Sequence, residues 1–145
     1  MEAGLLHIHS LFRWLTVLFL VLALIKSLNG WLGKKGYNKS DNLVAVLLIS
    51  FTHLQFLFGL ALYFMKGWFN QMSNMSDSTV RFWAMEHGLT MLIAIVLITL
   101  GRVKSKKAAT DVLKHKKGAI FYLIAFVLIL WAGIVKPMLL GKGLF

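Results

Sequence analysis

Four histidines lie within or just before long apolar stretches of the sequence. His9, His53 and His87 lie inside long apolar stretches, and His115 lies just before another. An ionisable side chain within a membrane helix costs free energy, so each of these residues is a candidate functional group. Histidine in this setting is typical of a metal or haem ligand, of a proton relay, or of a polar clamp between helices.

The elements that must position these side chains are four apolar stretches, at about 5–31, 43–65, 82–101 and 119–135. As helices rising about 1.5 Å per residue, they are long enough, or nearly so, to cross a hydrocarbon core of about 30 Å. Short connections force neighbouring helices to run antiparallel. We therefore predict an all-α fold, a transmembrane up-down-up-down four-helix bundle in which residues 1–145 form a single domain.

Polar residues mark the predicted helix ends. Ser40, Asp41 and Asn42 precede the second stretch, and Asp77 with its neighbours precedes the third; all are preferred N-cap types. Pro137 falls at the end of the last stretch, where a helix can stop. These residues predict that the helices begin and end close to the apolar boundaries.

The charge of the chain is strongly basic and unevenly distributed. Sixteen Lys and Arg stand against five Asp and Glu, for a net charge of +11. Most of the basic residues fall in or beside the first and third connections: Lys26, Lys34, Lys35, Lys39, Arg102, Lys104, Lys106, Lys107, Lys114, Lys116 and Lys117. Because cytoplasmic loops carry such an excess, we expect these connections in the cytoplasm and both termini on the opposite side. The expected partner of the charges is the lipid bilayer, not nucleic acid.

Composition and motifs narrow the chemistry. The chain contains no cysteine, which excludes disulfides, iron–sulfur clusters held by thiolates and covalent c-type haem attachment. No phosphate-binding glycine loop, zinc motif or nucleophile–base pair is visible. The sequence thus offers no hydrolase or transferase motif, and electron transfer is the favoured activity.

Depth along the helices selects one pair of histidines. The first and third helices run in the same direction, and His9 and His87 lie within about one helical turn of the same depth. We expect them to be opposing axial ligands of one haem b. His53 lies near mid-membrane and His115 at the cytoplasmic rim, depths that differ by roughly 15 Å at the same rise per residue. These two are candidate ligands without forming an evident second pair.

Several of these residues have a second interpretation. His53 is either a ligand or one partner of an interhelix hydrogen bond. His115 has lysines on either side and is favoured as a residue of a solvated loop. Arg13 shares a helix face with His9 and pairs either with a haem propionate or with Glu86. Glu86, if not in that ion pair, is a candidate for a proton path beside His87.

Residues 7–14, 51–64, 81–87 and 101–107 also resemble a known group of proteins. They are similar to segments of small membrane proteins from Bacteroidetes-type bacteria, called cytochrome b-like by likeness to four-helix b-type cytochromes of the b561 or hydrogenase-subunit kind. The resemblance extends over nearly the whole chain. It implies location in the bacterial inner membrane and haem contacts at His9, His53, His87 and His115.

The expected function is that of a membrane-embedded b-type cytochrome, either an electron carrier or a redox subunit of a larger complex. Its expected partners are a quinone and other membrane redox subunits. The alternative is a haem-free accessory subunit that packs against partner membrane helices, in a hetero-oligomeric complex or as a homo-oligomer. The two expectations differ in whether the purified protein contains haem.

Overall fold

The protein folds into four long helices, seen in a computed structural model that describes residues 1–143. They are α1 (Glu2–Leu32), α2 (Lys39–Met65), α3 (Ser78–Lys107) and α4 (Asp111–Leu139). A short 3₁₀ helix, Trp68–Asn74, lies between α2 and α3. No strand occurs within the described residues. All four long helices have the length and hydropathy needed to cross a membrane, so the predicted all-α membrane fold is confirmed.

Contacts between side chains show how the helices are arranged. His9 of α1 contacts Gln55 of α2, and Lys26 further along α1 contacts Asp41 near the start of α2, so the two helices are antiparallel. The α2–α3 and α3–α4 pairs are connected in the same antiparallel sense. Helix α1 packs along α2 and α4, and α3 packs along α4, whereas α2 and α3 share a much smaller contact. The result is the predicted up-down-up-down bundle, with one weakly packed seam.

The two ends of the bundle differ, and we name them by their contents. The terminal end holds residue 1 and the connection between α2 and α3. The basic end holds the connections at 33–38 and 108–110. Between these ends lies an apolar core of fully buried side chains from all four helices, including Leu20, Leu48, Ala94, Ile98 and Ala125.

The outer surface of the bundle is apolar along its length. Large aliphatic side chains on every helix are half or more exposed, or nearly so: Leu18, Ile25, Leu57, Leu92, Val96 and Val127. Soluble monomers rarely expose apolar surface on this scale. The surface therefore suits a multi-pass membrane protein, in which lipid covers it.

The polar ends of the helices extend beyond the predicted apolar boundaries. Asn38, rather than Ser40, Asp41 or Asn42, caps α2, and it exchanges two hydrogen bonds with Asp41 in a capping box. Asp77 caps α3 as predicted, accepting hydrogen bonds from the backbone of Thr79 and Val80. Helix α4 begins at Asp111, capped by Thr110, well before the predicted start at residue 119. Helix α4 also continues past Pro137 to Leu139.

The early start of α4 changes the environment of His115. The prediction of a solvated loop at this residue is wrong, because His115 lies on α4 and is only 2% exposed. Its imidazole packs against the backbone of α1 at Gly30, where a Cβ atom would collide with the ring. Hydropathy did not reveal this helical turn because the residues around His115 are lysines, which are partly or fully exposed while the ring faces inward.

Helices α3 and α4 each contain one π turn near the terminal end. In α3 it covers Phe82–Glu86, and in α4 it covers Leu130–Val135. The bond from the His87 amide to the Phe82 carbonyl, five residues back, is characteristic of this geometry. Such turns are uncommon and occur frequently at functional sites. Both π turns lie near the terminal end, which is therefore a candidate location for a functional site.

We expect Gly30→Ala to destabilise the protein, by about 1–3 kcal/mol, the usual range for overpacking a filled core. The added methyl group would displace the His115 ring. The measurement is thermal or denaturant unfolding in detergent.

Gly4→Ala on the same helix is the matched control, because nothing lies within 4 Å of a Cβ at that position. It should leave stability unchanged or raise it slightly, since alanine favours helix over glycine. Equal effects of the two substitutions would show that His115 does not pack on Gly30.

Candidate functional site

His9 and His87 both lie toward the terminal end of the bundle, on helices that run in the same direction. The two imidazoles lie within electrostatic range of each other, and Arg13 lies within range of both. His9 contacts α2, with its Nε2 atom 3.3 Å from the amide nitrogen of Gln55. His87 contacts α4, with its Nδ1 atom 2.8 Å from the carbonyl oxygen of Ala132. We call His9, Arg13, Gln55 and His87 the terminal cluster.

Hydrogen bonds assign the same tautomer to both histidines. The Ala132 carbonyl can only accept, so Nδ1 of His87 carries the proton and donates it, which leaves the lone pair on Nε2. With the amide nitrogen of Gln55 turned toward His9, Gln55 donates and Nε2 of His9 accepts. Both rings therefore have Nε2 as the basic nitrogen. A backbone carbonyl that holds Nδ1–H is also the usual support for a histidine that binds a metal through Nε2.

The surroundings of His9 leave polar atoms unsatisfied. His9 Nδ1 and Gln55 Oε1 are both buried, and neither has a hydrogen-bond partner. Leaving such an atom without a partner costs about 1–3 kcal/mol. Gly59 of α2 makes room for the ring, since a Cβ atom there would come within 2.9 Å of His9 Cε1. The His9 ring thus packs closely on α2 at Gly59, and the polar atoms around it have unused hydrogen-bonding capacity.

Aromatic rings and the π turn surround His87. The ring centroids of Trp83 and Phe82 lie 5.3 Å and 5.7 Å from that of His87. Trp83 in turn stacks on Trp68 at 6.5 Å. The π turn lies directly before His87 and changes the direction in which the following side chains project. These contacts hold the imidazole on its Ala132 hydrogen bond.

Glu86 has a different ion-pair partner from the predicted one. Among the described residues, its ion pair is with Arg81, whose Nε atom lies 2.8 Å from Oε1 of Glu86. The two residues are five apart across the π turn, which places them on the same face of α3. Arg13, on the helix diagonally opposite, instead has its guanidinium over the Trp14 ring at 5.4 Å. Both members of the Arg81–Glu86 pair are about 40% exposed, at 42% and 41%.

The other two candidate histidines lie away from the terminal cluster. His53 is exposed on the outer surface of α2, and its Nε2 atom forms a 3.1 Å hydrogen bond with Thr99 Oγ1 of α3, the predicted interhelix bond. His115 lies near the basic end. No group of three or more His, Asp or Glu side chains that could hold a metal ion occurs in the described part of the chain. His9, His53 and His87 therefore do not form a three-ligand metal site.

A polar cluster around His115 at the basic end escaped the sequence analysis. His115 Nε2 donates to the Gly36 carbonyl at 3.1 Å and lies 4.0 Å from Asp41 Oδ2. The other Asp41 oxygen lies 3.5 Å from Lys26 Nζ. His115 also lines an enclosed cavity of about 10 Å³, close to the smallest space that holds one water molecule. The sequence predicts Asp41 only as a helix cap, and the cluster forms because the chain brings this acid next to His115 and Lys26.

We expect Arg81 and Glu86 to be energetically coupled by about 0.2–1 kcal/mol, the range for exposed ion pairs. The measurement is a double-mutant cycle with Arg81→Gln and Glu86→Gln, read by unfolding in detergent. A cycle with Arg13→Gln and Glu86→Gln is the comparison, and those two substitutions should be additive within error. Stronger coupling in the second cycle than in the first would restore the Arg13–Glu86 pair.

Comparison of this chain with protein-family models, with curated proteins and with solved structures found no match.

Proposed function

We propose that the chain is a b-type cytochrome of the bacterial inner membrane that binds one haem b between His9 and His87. Its role would be that of an electron carrier or of a redox subunit in a larger complex. The observation that supports this most directly is the placement of His9 and His87 near the same end of two parallel helices, each with a hydrogen bond to a backbone carbonyl or a side-chain amide that leaves Nε2 as the basic nitrogen. Haem iron takes neutral imidazole nitrogens as axial ligands.

The residues of the terminal cluster fit this cofactor in chemical type. His87 presents Nε2 while Ala132 holds its other nitrogen, and the Nε2 atom of His9 becomes available if it exchanges its long bond to Gln55. Gln55 would then have its amide nitrogen as well as its unsatisfied oxygen available for polar groups. Arg13 supplies a positive charge within range of both rings and would attract the acidic groups of a bound cofactor. The haem itself would supply reversible one-electron chemistry.

Glu86 suggests how protons could accompany the electrons. It is the last residue of the π turn and directly precedes His87, and its carboxylate is partly exposed at the terminal end. A carboxylate in that position can accept a proton from a quinol and release it to water. A quinone, or another redox subunit of the membrane, is the electron partner that we propose.

A second candidate function rests on His53. This histidine and its partner Thr99 bridge α2 and α3, and His53 is exposed on an otherwise apolar, lipid-facing surface. Polar side chains at this depth are costly in lipid and commonly contact another helix. This arrangement favours a haem-free accessory subunit that packs against a partner membrane helix through the α2–α3 seam. The two candidates make opposite predictions for haem content.

We expect the purified protein to contain haem and to show a Soret band that sharpens on reduction. His87→Ala and His9→Ala should each abolish that band or convert it to a high-spin form, because each removes one axial nitrogen. His53→Ala is the matched control, a histidine on the lipid-facing surface, and should leave the spectrum unchanged. Absorption spectra of detergent-purified variants expressed with added haem precursor provide the measurement.

Two results would contradict this proposal in different ways. A spectrum that changes in His53→Ala but not in His9→Ala or His87→Ala would make the ligand pair wrong. Protein that remains colourless under every condition of expression and haem supplementation would leave the accessory-subunit function as the better candidate.

We also propose that both termini face the periplasm, as the basic end favours. Because the chain has no cysteine, single cysteines can report topology. Ser73→Cys, exposed at the terminal end, should react with a membrane-impermeant maleimide in intact cells. Ala109→Cys, exposed at the basic end, should react only after permeabilisation. The reverse pattern would invert the topology.

A further inference from the structure

A groove at the basic end concentrates positive charge on one small volume. It measures about 470 Å³ and is open to the surface. Its cationic residues are Lys39, Arg102, Lys106 and Lys114, and its remaining lining consists of Tyr37, Asn38 and Asn42. Its lining includes no carboxylate. The groove is therefore suited to a negatively charged group.

Arg102 is the deepest of these cations and has an unusual set of partners. It is 8% exposed, the least of the basic residues around the groove. Its Nη2 atom donates to Asn42 Oδ1 at 2.6 Å, and its Nη1 atom donates to the Tyr37 hydroxyl at 3.3 Å. Both acceptors are neutral. Burial raises the pKa of the Tyr37 hydroxyl above its ordinary value, so this group stays protonated. Within residues 1–143, Arg102 forms no ion pair with a carboxylate.

The acidic residues nearest the groove are already engaged. Asp41 contacts Lys26, accepts a hydrogen bond from the Asn38 backbone amide, and lies beside His115. Asp111 accepts a hydrogen bond from the Tyr37 backbone amide at 3.1 Å. A buried charge usually requires a compensating opposite charge, because the loss of its hydration is expensive. The hydrogen bonds to Tyr37 and Asn42 orient the Arg102 guanidinium but do not neutralise it. An anion bound in the groove would neutralise this charge.

We propose that this groove binds a phosphate group, with Arg102 at its base and Lys39, Lys106 and Lys114 at its rim. Arginine and lysine are the side chains that most often bind phosphate in proteins. Arg102 lies close to the end of α3, about where a membrane helix meets the headgroups. The phosphate is therefore that of an anionic phospholipid or of a soluble phosphorylated molecule that reaches the same surface. This binding is independent of whether the terminal cluster holds haem.

The test uses the full-length protein purified in an uncharged detergent, so that no extended anionic surface contributes to binding. Native mass spectrometry would measure the binding of short-chain phosphatidylglycerol, with short-chain phosphatidylcholine as the zwitterionic comparison. Phosphatidylglycerol should bind at one saturable site and more tightly than phosphatidylcholine. Competition with inorganic phosphate distinguishes the sources: displacement at millimolar concentration indicates a soluble phosphate, and its absence indicates the lipid.

Two neighbouring lysines on α3 provide matched variants. Lys106 lines the groove, whereas Lys104, equally exposed on the same final turns, does not. Lys106→Gln should weaken phosphatidylglycerol binding about fivefold, the contribution of one lysine to anionic lipid binding. Lys104→Gln removes the same charge and should have little effect. Lys114→Gln and Lys117→Gln form a second such pair on α4, of which only Lys114 lines the groove.

Arg102→Gln should cause the largest loss, more than about tenfold, because a charge-assisted bond to phosphate is removed at the base of the site. If this variant does not fold, the two lysine pairs still decide the question. Equal binding by Lys106→Gln and Lys104→Gln would overturn the proposal, since attraction would then follow net charge alone. Equal binding of phosphatidylglycerol and phosphatidylcholine would overturn it as well.

Discussion

The cost of leaving a polar group without a partner in an apolar medium determines most of this structure. Lipid offers the backbone no hydrogen bonds, so each segment that crosses it is helical. The same cost acts on side chains in the interior. His87 donates to a carbonyl of α4, His53 pairs with Thr99, and Arg102 reaches Asn42 and Tyr37. These bonds between helices specify which helices are neighbours, a choice that the aliphatic core alone would leave less constrained.

Polar groups are consequently sorted to the two ends of the bundle, with different chemistry at each. The terminal end carries neutral imidazoles and an amide around a single arginine. The basic end carries a dense set of cations, balanced in part by Asp41 and Asp111. Between them, Leu20, Leu48 and Ile98 belong to a fully buried apolar core. The two ends therefore differ in charge and are separated by the apolar core.

The sequence was sufficient to predict the number of helices, their order and their antiparallel arrangement. These follow from hydropathy and from the rise of a helix, both of which act uniformly along the chain. It was not sufficient where a feature departs from uniform geometry. Glu86 contacts Arg81 because a π turn shifts the spacing from four residues to five, and no periodic pattern announces such a turn. His115 is buried although lysines flank it, because one face of a polar helical turn can point inward while the rest is solvated.

The seam between α2 and α3 gives the bundle a mechanical asymmetry. Three of its four helix contacts are extensive, while the fourth is fastened chiefly by a hydrogen bond from Tyr63 to the Ala84 carbonyl near one end, by Arg102 to Asn42 near the other, and by His53 with Thr99 between them. One of the four contacts between neighbouring helices is therefore much weaker than the other three. Because each of its few hydrogen bonds contributes only about 0.5–1.5 kcal/mol, this contact costs less free energy to separate than the three extensive ones.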